Sequence, residues 1–331
     1  MRRALVEAAS SDAPLGPNPR VGCVILRPDG TTISVGHHRG AGTPHAEVDA
    51  LRGAGEAAAG ATVVVTLEPC HHTGRTGPCT AALIRAQVAR VVVGQRDVSP
   101  VAAGGVGALR AAGVDVEVGV LSDEARALNP CWTTGAERGR PVVTWKVAAS
   151  LDGRVAAVDG TSRWITGPVA RADGHRLRAT VDAVIVGTGT VLADDPRLTA
   201  RPPEGLPVGV QPLRVVVGER SLPANSAVLD DSAPTRVFHT HEVDTVLDAL
   251  GREGHHHVLL EGGPTLAAAF LRAGLVDRVV AYVAPVLLGA GSPALSDFGV
   301  DTIGDAERLV LEDVTRFGDD VRITATLSEE S

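Results

Sequence analysis

Pro44-His45-Ala46-Glu47, Pro69-Cys70 and Pro78-Cys79 are the segments from which the rest of this chain is best understood. Imidazole nitrogen and thiolate sulfur are ligands that zinc favours, and three protein ligands leave a fourth tetrahedral position for water, as a hydrolytic metal site requires. Glu47 remains as a carboxylate that can move protons. We therefore predict one zinc ion per chain, bound by three residues: His45, Cys70 and Cys79.

The spacing of these residues predicts where they lie on helices. Residues two apart diverge by roughly 200° in a helix, so His45 and Glu47 converge on one ion only over the first helical turn. Pro44 suits a first helical position, and the run EVDALRGAG predicts a short helix that ends at glycine. Cys79 should open a second helix, TAALIRAQV, where the backbone dipole lowers the pKa of a thiol.

The combined pattern is more specific than its parts. A buried cysteine, a paired histidine and helix-starting prolines would each be ordinary structural features. Together, H-x-E and two P-C segments match the signature of zinc deaminases, except that eight residues separate the cysteines where the common signature has two. The sequence therefore predicts metal-assisted deamination, with Glu47 as the catalytic proton carrier.

Composition sets the broad class of protein. A length of 331 residues suggests two domains, and 31 Lys and Arg against 39 Asp and Glu, a net charge of −8, disfavour a general nucleic-acid surface. Four cysteines do not make a disulfide framework, which suits a reducing cytoplasm. We recognise no signal peptide and no apolar run long enough for a membrane span, so we expect a cytoplasmic protein. The oligomeric state stays open, a homo-oligomer included.

Strand-like and helix-like stretches alternate through both halves of the chain, which predicts α/β architecture. In the first half the strands are VGCVILR, TTISVG, TVVVTL and RVVVG; in the second they include PVVTWKVAAS, DAVIVG, LRVVVG, HHVLLEGG and DRVVAYVAPVLLG. The segment GAERGRP, residues 135–141, is interpreted as a linker. We therefore expect two α/β domains, residues 1–140 and 141–331.

Longer motifs identify a family. PNPRVGCVI, HHRGAGTPHAE and PCHHTGRTGPC closely resemble the deaminase half of bifunctional bacterial riboflavin-biosynthesis proteins, and WKVAASLDGRVA, SRWITGP, VGTGTVLADDPRLTAR and EGGPTL resemble the reductase half. The resemblance implies a cytidine-deaminase-like three-layer α/β/α domain followed by a dihydrofolate-reductase-like α/β domain. It also implies zinc-dependent deamination of a phosphorylated ribosylaminopyrimidine, then NADPH-dependent reduction of its ribosyl group to ribityl.

The same resemblance implies binding residues in both halves. For the deaminase substrate they are Asn18, His38, His72 and Arg75. For NADPH they are Ala148, Trp164, Thr190, Asp194, Gly218, Gly263, Pro264 and Thr265. For the reductase substrate they are Lys146, Ser162, Arg178, Leu198, Arg201 and Glu261. The chain departs from the family at Gly77, where proline is common, and at His37, where an aromatic residue is common.

Several assignments within the second half remain alternatives. Arg178 and Arg201 can clamp a phosphate through their planar guanidinium groups, although a surface salt bridge is the usual fate of an arginine. Asp194 and Asp195 either assist protonation of a ring-opened imine or cap a turn before proline. Arg220 is a candidate for the 2′-phosphate of NADPH, and residues 255–257, three histidines, are a weak metal signal.

Other functions are consistent with parts of the sequence. One is a zinc deaminase of another base or nucleotide, with a noncatalytic, ligand-sensing C-terminal domain. Another is a structural zinc site, which would require His71 or His72 as a fourth ligand.

Overall fold

The computed structural model describes residues 1–10, 18–40, 42–73, 77–99, 102–201 and 210–328. The chain divides into two compact units, Met1–Arg138 and Gly139–Ser331. The predicted linker at residues 135–141 is wrong for most of its length. A helix beginning at Pro130 continues to Arg138, because Thr133 and Gly135 lie on a buried face of that helix.

The first unit is a five-stranded sheet with helices on both faces. The described helices are α1 (Arg2–Ala8), α2 (Ala46–Ala54), α3 (Cys79–Arg85), α4 (Gly105–Ala111), α5 (Ser122–Ala127) and α6 (Pro130–Arg138). The described strands are β1 (Gly22–Leu26), β2 (Thr32–His37), β3 (Thr62–Leu67), β4 (Arg90–Gln95) and β5 (Asp115–Val118). The strand order is β2-β1-β3-β4-β5, with β3, β4 and β5 parallel and β1 antiparallel to both its neighbours.

Successive valines of β3 explain the three layers. Val63 and Val65 belong to one buried cluster with Ala50 of α2 and Leu83 of α3, whereas Val64 belongs to another with Ala4 of α1. Neighbouring side chains of a strand point to opposite faces of its sheet. Both faces of the sheet are therefore covered, as expected for the deaminase-like α/β/α fold.

Close packing between β2 and α2 positions the proposed metal ligands. A Cβ atom at Gly36 would lie 2.4 Å from the backbone nitrogen of Ala50 and 2.5 Å from the carbonyl oxygen of Ala46. Only glycine allows this approach of helix to strand. The start of α2, with His45 and Glu47, is thereby held directly against the sheet.

The second unit is built around an eight-stranded sheet. Its described helices are α7 (Pro168–Arg178), α8 (Thr188–Asp194), α9 (Val243–Arg252) and α10 (Pro264–Arg272). Its described strands are β6 (Val142–Ser150), β7 (Arg154–Ala156), β8 (Ala183–Gly187), β9 (Leu213–Val217), β10 (Thr235–Phe238), β11 (His257–Leu260), β12 (Arg278–Ala284), β13 (Ser292–Pro293), β14 (Leu309–Phe317) and β15 (Asp320–Leu327).

Strand order in this sheet is β10-β9-β8-β11-β6-β12-β15-β14. The strands from β10 to β12 are parallel, and the hairpin β14–β15 adds an antiparallel edge. Ile185 of β8 packs with α9 and α10, whereas Val184 and Val186 pack with Val191 of α8 on the other face. Our sequence analysis missed β14, β15 and the short pair β7–β13.

None of the helices in the described ranges is both long and apolar enough to cross a membrane.

A fully buried arginine links parts of the second unit through hydrogen bonds. Arg214 of β9 has no exposed surface, and its Nη1 donates to Asp230 Oδ1 at 2.8 Å and to the Arg197 carbonyl oxygen at 3.4 Å. Its Nη2 donates to the carbonyl oxygens of Asp230 and Ala233. The guanidinium thus connects the central sheet to two loops.

We predict that Arg214→Met destabilises the second unit by about 3 kcal/mol, because buried carbonyl groups lose their donors and Asp230 loses its partner. The matched control is Arg236→Met on the neighbouring strand β10, which removes an exposed ion pair with Glu253 and should change stability by less than about 1 kcal/mol. Urea unfolding followed by tryptophan fluorescence measures both. Equal losses for the two variants would contradict the structural role of Arg214.

Candidate functional site

The first site is a cluster of one histidine and two cysteines. His45 Nδ1 lies 3.2 Å from Cys79 Sγ and 3.5 Å from Cys70 Sγ, and the three ligand atoms lie within 4.8 Å of one another. A zinc ion about 2.3 Å from sulfur and about 2.0 Å from nitrogen holds tetrahedral ligand atoms roughly 3.5 Å apart. The donor set and its spacing therefore fit zinc.

Helix starts position these ligands, with one correction to the sequence prediction. Helix α2 begins at Ala46, so Pro44 precedes the helix, and His45 is the extended N-cap residue with φ −67° and ψ 160°. That extended backbone turns the imidazole towards the cysteines. Cys79 is the first residue of α3, as predicted, and its backbone N–H donates to Cys70 Sγ at 3.4 Å.

The electrostatics of this site favour a thiolate and a carboxyl group that can hold a proton. Hydrogen bonding from Cys79 lowers the pKa of the Cys70 thiol to about 4, and His45 contributes in the same direction. Burial raises the pKa of the Glu47 carboxyl above its ordinary value. Glu47 is only 3% exposed, in the first turn of α2. A carboxyl with a raised pKa exchanges protons more readily near neutral pH.

Two of the predicted substrate residues are joined directly. The His38 ring lies 3.1 Å from the Pro44 carbonyl oxygen through Nδ1 and 2.9 Å from Asn18 Nδ2 through Nε2. Because a carbonyl only accepts, Nδ1 donates and Nε2 accepts, which fixes a neutral tautomer. Burial lowers the pKa of His38 and agrees with that state. The Asn18 amide is thereby oriented with Oδ1 available to a ligand.

The neighbouring histidines do not complete a four-residue metal site. Among the described residues, the clustered metal-ligand candidates are His45, Cys70 and Cys79 alone. His71 Nδ1 instead lies 3.0 Å from Thr80 Oγ1, and the buried Nδ1 of His72 has no hydrogen-bond partner within the described ranges. This arrangement does not support a structural zinc site. Arg75 lies outside the described residues.

Two carboxylates near this site were missed by the sequence analysis. Glu68 accepts hydrogen bonds from the backbone N–H groups of Val106, at 2.8 Å, and Asp97, at 3.2 Å, and so ties together the loops that follow β3 and β4. Burial raises the pKa of Asp97 to about 6, and the charge of Glu68 adds to the effect. Both residues follow parallel strands at one sheet edge, which is the signal that could have identified them.

The second site is a cavity of about 1770 Å³ in the second unit. Its walls include the turns after β8, β9 and β11, at the carboxyl edge of the parallel strands. All fourteen residues that the resemblance implied for this half line the cavity: Lys146, Ala148, Ser162, Trp164, Arg178, Thr190, Asp194, Leu198, Arg201, Gly218, Glu261, Gly263, Pro264 and Thr265. The structure therefore brings these distant sequence positions together.

The cavity wall is basic although the chain is acidic. Eight Lys and Arg residues line it against four Asp and Glu residues, whereas the whole chain carries a net charge of −8. Such a local excess of positive charge attracts anionic ligands. The cavity suits a phosphorylated substrate and a dinucleotide.

A buried ion cluster lies at the centre of the cavity wall. Arg178 Nε and Nη2 donate to Glu261 Oε1 and Oε2 at 2.6 and 2.9 Å, and Lys146 Nζ lies 3.9 Å from Glu261 Oε2. Burial raises the pKa of Glu261, but the charges of Arg178 and Lys146 outweigh it and lower the value to about 2. Burial lowers the pKa of the Lys146 ammonium.

The two arginines proposed as a phosphate clamp have different partners. Two nitrogen atoms of Arg178 are occupied by Glu261, so this guanidinium does not face a phosphate freely. Arg201 Nη1 donates to Thr199 Oγ1 at 2.8 Å, and its pKa is lowered by burial and by the charges of Arg178 and Arg197. Arg197 was missed by the sequence analysis. We infer that Arg201 and Arg197 are available to a phosphate.

The two aspartates of the VLADDP motif have different surroundings. Asp195 Oδ1 accepts the backbone N–H of Ala227 at 2.7 Å, a bond to a distant segment that neither alternative predicted. Asp194 ends α8 and lines the cavity.

Trp164 is 69% exposed, and the Arg171 guanidinium lies 4.4 Å from the centre of its ring.

The histidine triplet has a structural explanation. His257 Nε2 lies 2.9 Å from Thr144 Oγ1, and the backbone N–H groups of His256 and His257 donate to Asp182 Oδ2. The triplet therefore connects neighbouring strands.

Both units match known protein families. Residues 1–95 match the family described as the cytidine and deoxycytidylate deaminase zinc-binding region. Residues 141–323 match the family described as the RibD C-terminal domain. The order of the two matches follows the order of the two units.

Full-length relatives cover nearly the whole chain. The riboflavin biosynthesis protein RibD of Mycobacterium tuberculosis is 51% identical over 310 residues, covering 93% of this chain and 91% of the relative. RibD of Escherichia coli K12 is 40% identical over 358 residues, covering 97% and 96%. Two solved structures are also similar throughout.

The first is Acinetobacter baumannii RibD, with a TM-score of 0.90 and 40% identity, covering 99% of this chain and 98% of the other. The second is the Thermotoga maritima diaminohydroxyphosphoribosylaminopyrimidine deaminase/5-amino-6-(5-phosphoribosylamino)uracil reductase, with a TM-score of 0.83 and 32% identity, covering 99% and 97%.

We predict that Cys79→Ser lowers bound zinc from about one ion per chain to below about 0.1, because removal of one of three protein ligands leaves too weak a site. Elemental analysis of gel-filtered protein measures the metal. Cys131→Ser is the matched control, since Cys131 lies outside the cluster and should leave zinc content unchanged. Full zinc content in Cys79→Ser would exclude this cysteine as a ligand.

Proposed function

This chain belongs to the RibD family of riboflavin biosynthesis proteins, and we propose that its substrate is the phosphoribosylaminopyrimidine named for the T. maritima relative. It is a bifunctional enzyme, with a zinc-dependent deaminase unit and an NADPH-dependent reductase unit. Deamination would convert the diaminopyrimidine to a uracil, and reduction would then open the ribosyl group to ribityl. The observation that carries the proposal is one chain with a His-Cys-Cys cluster and a basic cavity of dinucleotide size.

In the first unit, the residues divide into metal ligands and proton carriers. His45, Cys70 and Cys79 would hold zinc, which when bound supplies a water activated for attack near neutral pH. Glu47 would take the proton of that water at its carboxylate and deliver it to a pyrimidine ring nitrogen. It would then take the second proton from the hydroxyl group added to the ring and pass it to the departing amine, which leaves as ammonia while the carbonyl forms. Asn18, oriented by His38, would fix the pyrimidine.

In the second unit, the buried ion cluster of Lys146, Arg178 and Glu261 would supply the proton that reduction requires. NADPH when bound supplies the hydride. Opening of the ribosyl ring forms a C=N bond at the sugar carbon and breaks its bond to the ring oxygen, which needs a proton. Lys146 Nζ has a lowered pKa and a neighbouring carboxylate, so it can donate that proton. Arg178 would keep Glu261 ionised and in place.

The substrate phosphate would lie against the basic part of the wall. Arg201 and Arg197 carry the charge that can bind it, and Thr199 orients Arg201. A small-molecule substrate is consistent with both sites. A noncatalytic, ligand-sensing second unit is less well supported, because such a role gives no reason for a buried lysine beside a paired carboxylate.

We predict that Glu47→Gln retains zinc but lowers the rate of ammonia release by roughly 100- to 10,000-fold, because the amide cannot carry protons. The assay supplies the diaminopyrimidine phosphate to the purified chain without NADPH and measures ammonia and bound metal together. Glu56→Gln, a change of the same kind just beyond α2, should keep the normal rate. Normal ammonia release from Glu47→Gln would exclude the proposed proton carrier.

We predict that Arg201→Ala lowers kcat/KM of reduction roughly 10- to 100-fold, because a charge-assisted hydrogen bond to phosphate contributes about 1.5–3 kcal/mol. The assay follows NADPH oxidation with the deaminated substrate, and the same substrate without its phosphate should be almost insensitive to the change. Arg178→Ala should instead slow both substrates, because it exposes Glu261 and disturbs Lys146. Arg316→Ala, an exposed arginine, is the control.

If Arg201→Ala weakens both substrates equally, Arg201 does not recognise the phosphate.

A further inference from the structure

Arg220 is a cavity-lining cation that has no partner among the described residues. It follows β9 and Gly218, and its side chain is exposed within the wall of the second cavity. No hydrogen bond or ion pair joins it to any residue in the described ranges. The other strongly charged groups near the cavity centre, Arg178, Lys146 and Glu261, are paired with one another. Arg220 therefore keeps its full capacity for an anionic ligand.

The position of the Arg220 guanidinium is set by a glycine. A Cβ atom at Gly189 would lie 2.5 Å from Arg220 Nη2, so the guanidinium rests where a side chain at position 189 would lie. Gly189 belongs to the turn that starts α8 after β8. The arginine thus reaches from the end of β9 to the start of α8, which follows the neighbouring strand β8.

Strand order gives the distance between the end of β9, which Arg220 follows, and the proposed hydride-transfer site. Lys146 is on β6 and Glu261 follows β11, and the order β9-β8-β11-β6 puts β9 three strands away from β6. Neighbouring strands are about 4.8 Å apart, so the end of β9 lies roughly 14 Å from the proposed hydride-transfer site. That is the scale of a dinucleotide, whose nicotinamide and adenine ribose lie on opposite sides of a pyrophosphate. The glycine-rich turns after β8 and β11 lie between.

We propose that Arg220 selects NADPH over NADH by binding the 2′-phosphate on the adenine ribose. The proposal rests on the reductase function and adds the residue that determines cofactor preference. Glu219, next in the chain and also in the cavity wall, would favour the free 2′-hydroxyl of NADH. A dianionic phosphate reverses that preference because it gains the unpaired Arg220 charge. His241, which follows the neighbouring parallel strand β10 and also lines the cavity, can add a hydrogen bond.

The test compares ligands with and without the 2′-phosphate on the full chain. Titrations use NADPH, NADH, 2′,5′-ADP and 5′-AMP, with calorimetry as the readout, so turnover is not needed. We expect Arg220→Ala to raise the Kd of NADPH and 2′,5′-ADP roughly 10- to 100-fold while NADH and 5′-AMP change less than about twofold. Arg236→Ala, a surface arginine of the neighbouring strand β10, should change none of them.

A second variant tests the geometry. Gly189→Ala should displace the guanidinium, because the added methyl group occupies its place and the arginine is a flexible side chain. We expect a smaller loss of the NADPH preference, about 3- to 10-fold, since the displaced arginine keeps part of its attraction for the phosphate. In an Arg220→Ala background, Gly189→Ala should have no further effect on the ratio of the NADPH and NADH dissociation constants.

The possible results distinguish a failure of the Arg220 proposal from a failure of the proposed reductase function. Equal weakening of NADPH and NADH by Arg220→Ala would assign the arginine to the pyrophosphate and overturn the proposal. Unchanged binding of all four ligands would overturn it as well. Failure of the unaltered protein to bind NADPH or NADH at all would instead contradict the reductase function.

Discussion

Both sites depend on one geometric constraint, that neighbouring parallel strands end at the same edge of their sheet. In the first unit, β3 and β4 end beside each other, and Glu68, Cys70 and Asp97 follow these two strands. In the second unit, the turns after β8, β9 and β11 form one wall of the cavity. Short segments that follow different strands therefore meet in space although they are far apart in the sequence.

Two buried glutamates show how surroundings assign different roles to one side chain. Burial is the largest influence on Glu47 and raises the pKa of its carboxyl group. Glu261 is also buried, but Arg178 and Lys146 lower its pKa to about 2 and keep it ionised. The first carboxyl suits proton transfer. The second suits a fixed charge that stabilises neighbouring cations.

Local sequence was sufficient where the chemistry is local. His45, Glu47 and Cys79 lie at helix starts, and nearby prolines indicated those starts in the sequence. The valine-rich runs TVVVTL and LRVVVG predicted strands, which the structure confirms. Pairing over long distances was not predictable in this way. Arg178 and Glu261 are 83 residues apart, and nothing near Arg178 indicates that its guanidinium binds a carboxylate rather than a phosphate.

The errors have the same physical origin. The segment at residues 135–141 has the glycine, proline and charge of a linker, but tertiary burial of Thr133 and Gly135 extends a helix through most of it. The hairpin β14–β15 was overlooked because its first strand is largely exposed and lacks a continuous buried face. Sequence patterns record local preference, and these segments are determined by what they pack against.

The function proposed for the second cavity requires it to hold two polyanions at once. A phosphorylated substrate and NADPH would repel each other if their phosphates shared one group of cations. The wall instead separates its available cations, with Arg197 and Arg201 in one group and Arg220 at the end of β9. Glu261 follows β11 and forms ion pairs with Arg178 and Lys146. In the proposed arrangement, the sugar and nicotinamide would lie near the paired residues, and each anion would meet its own group of cations.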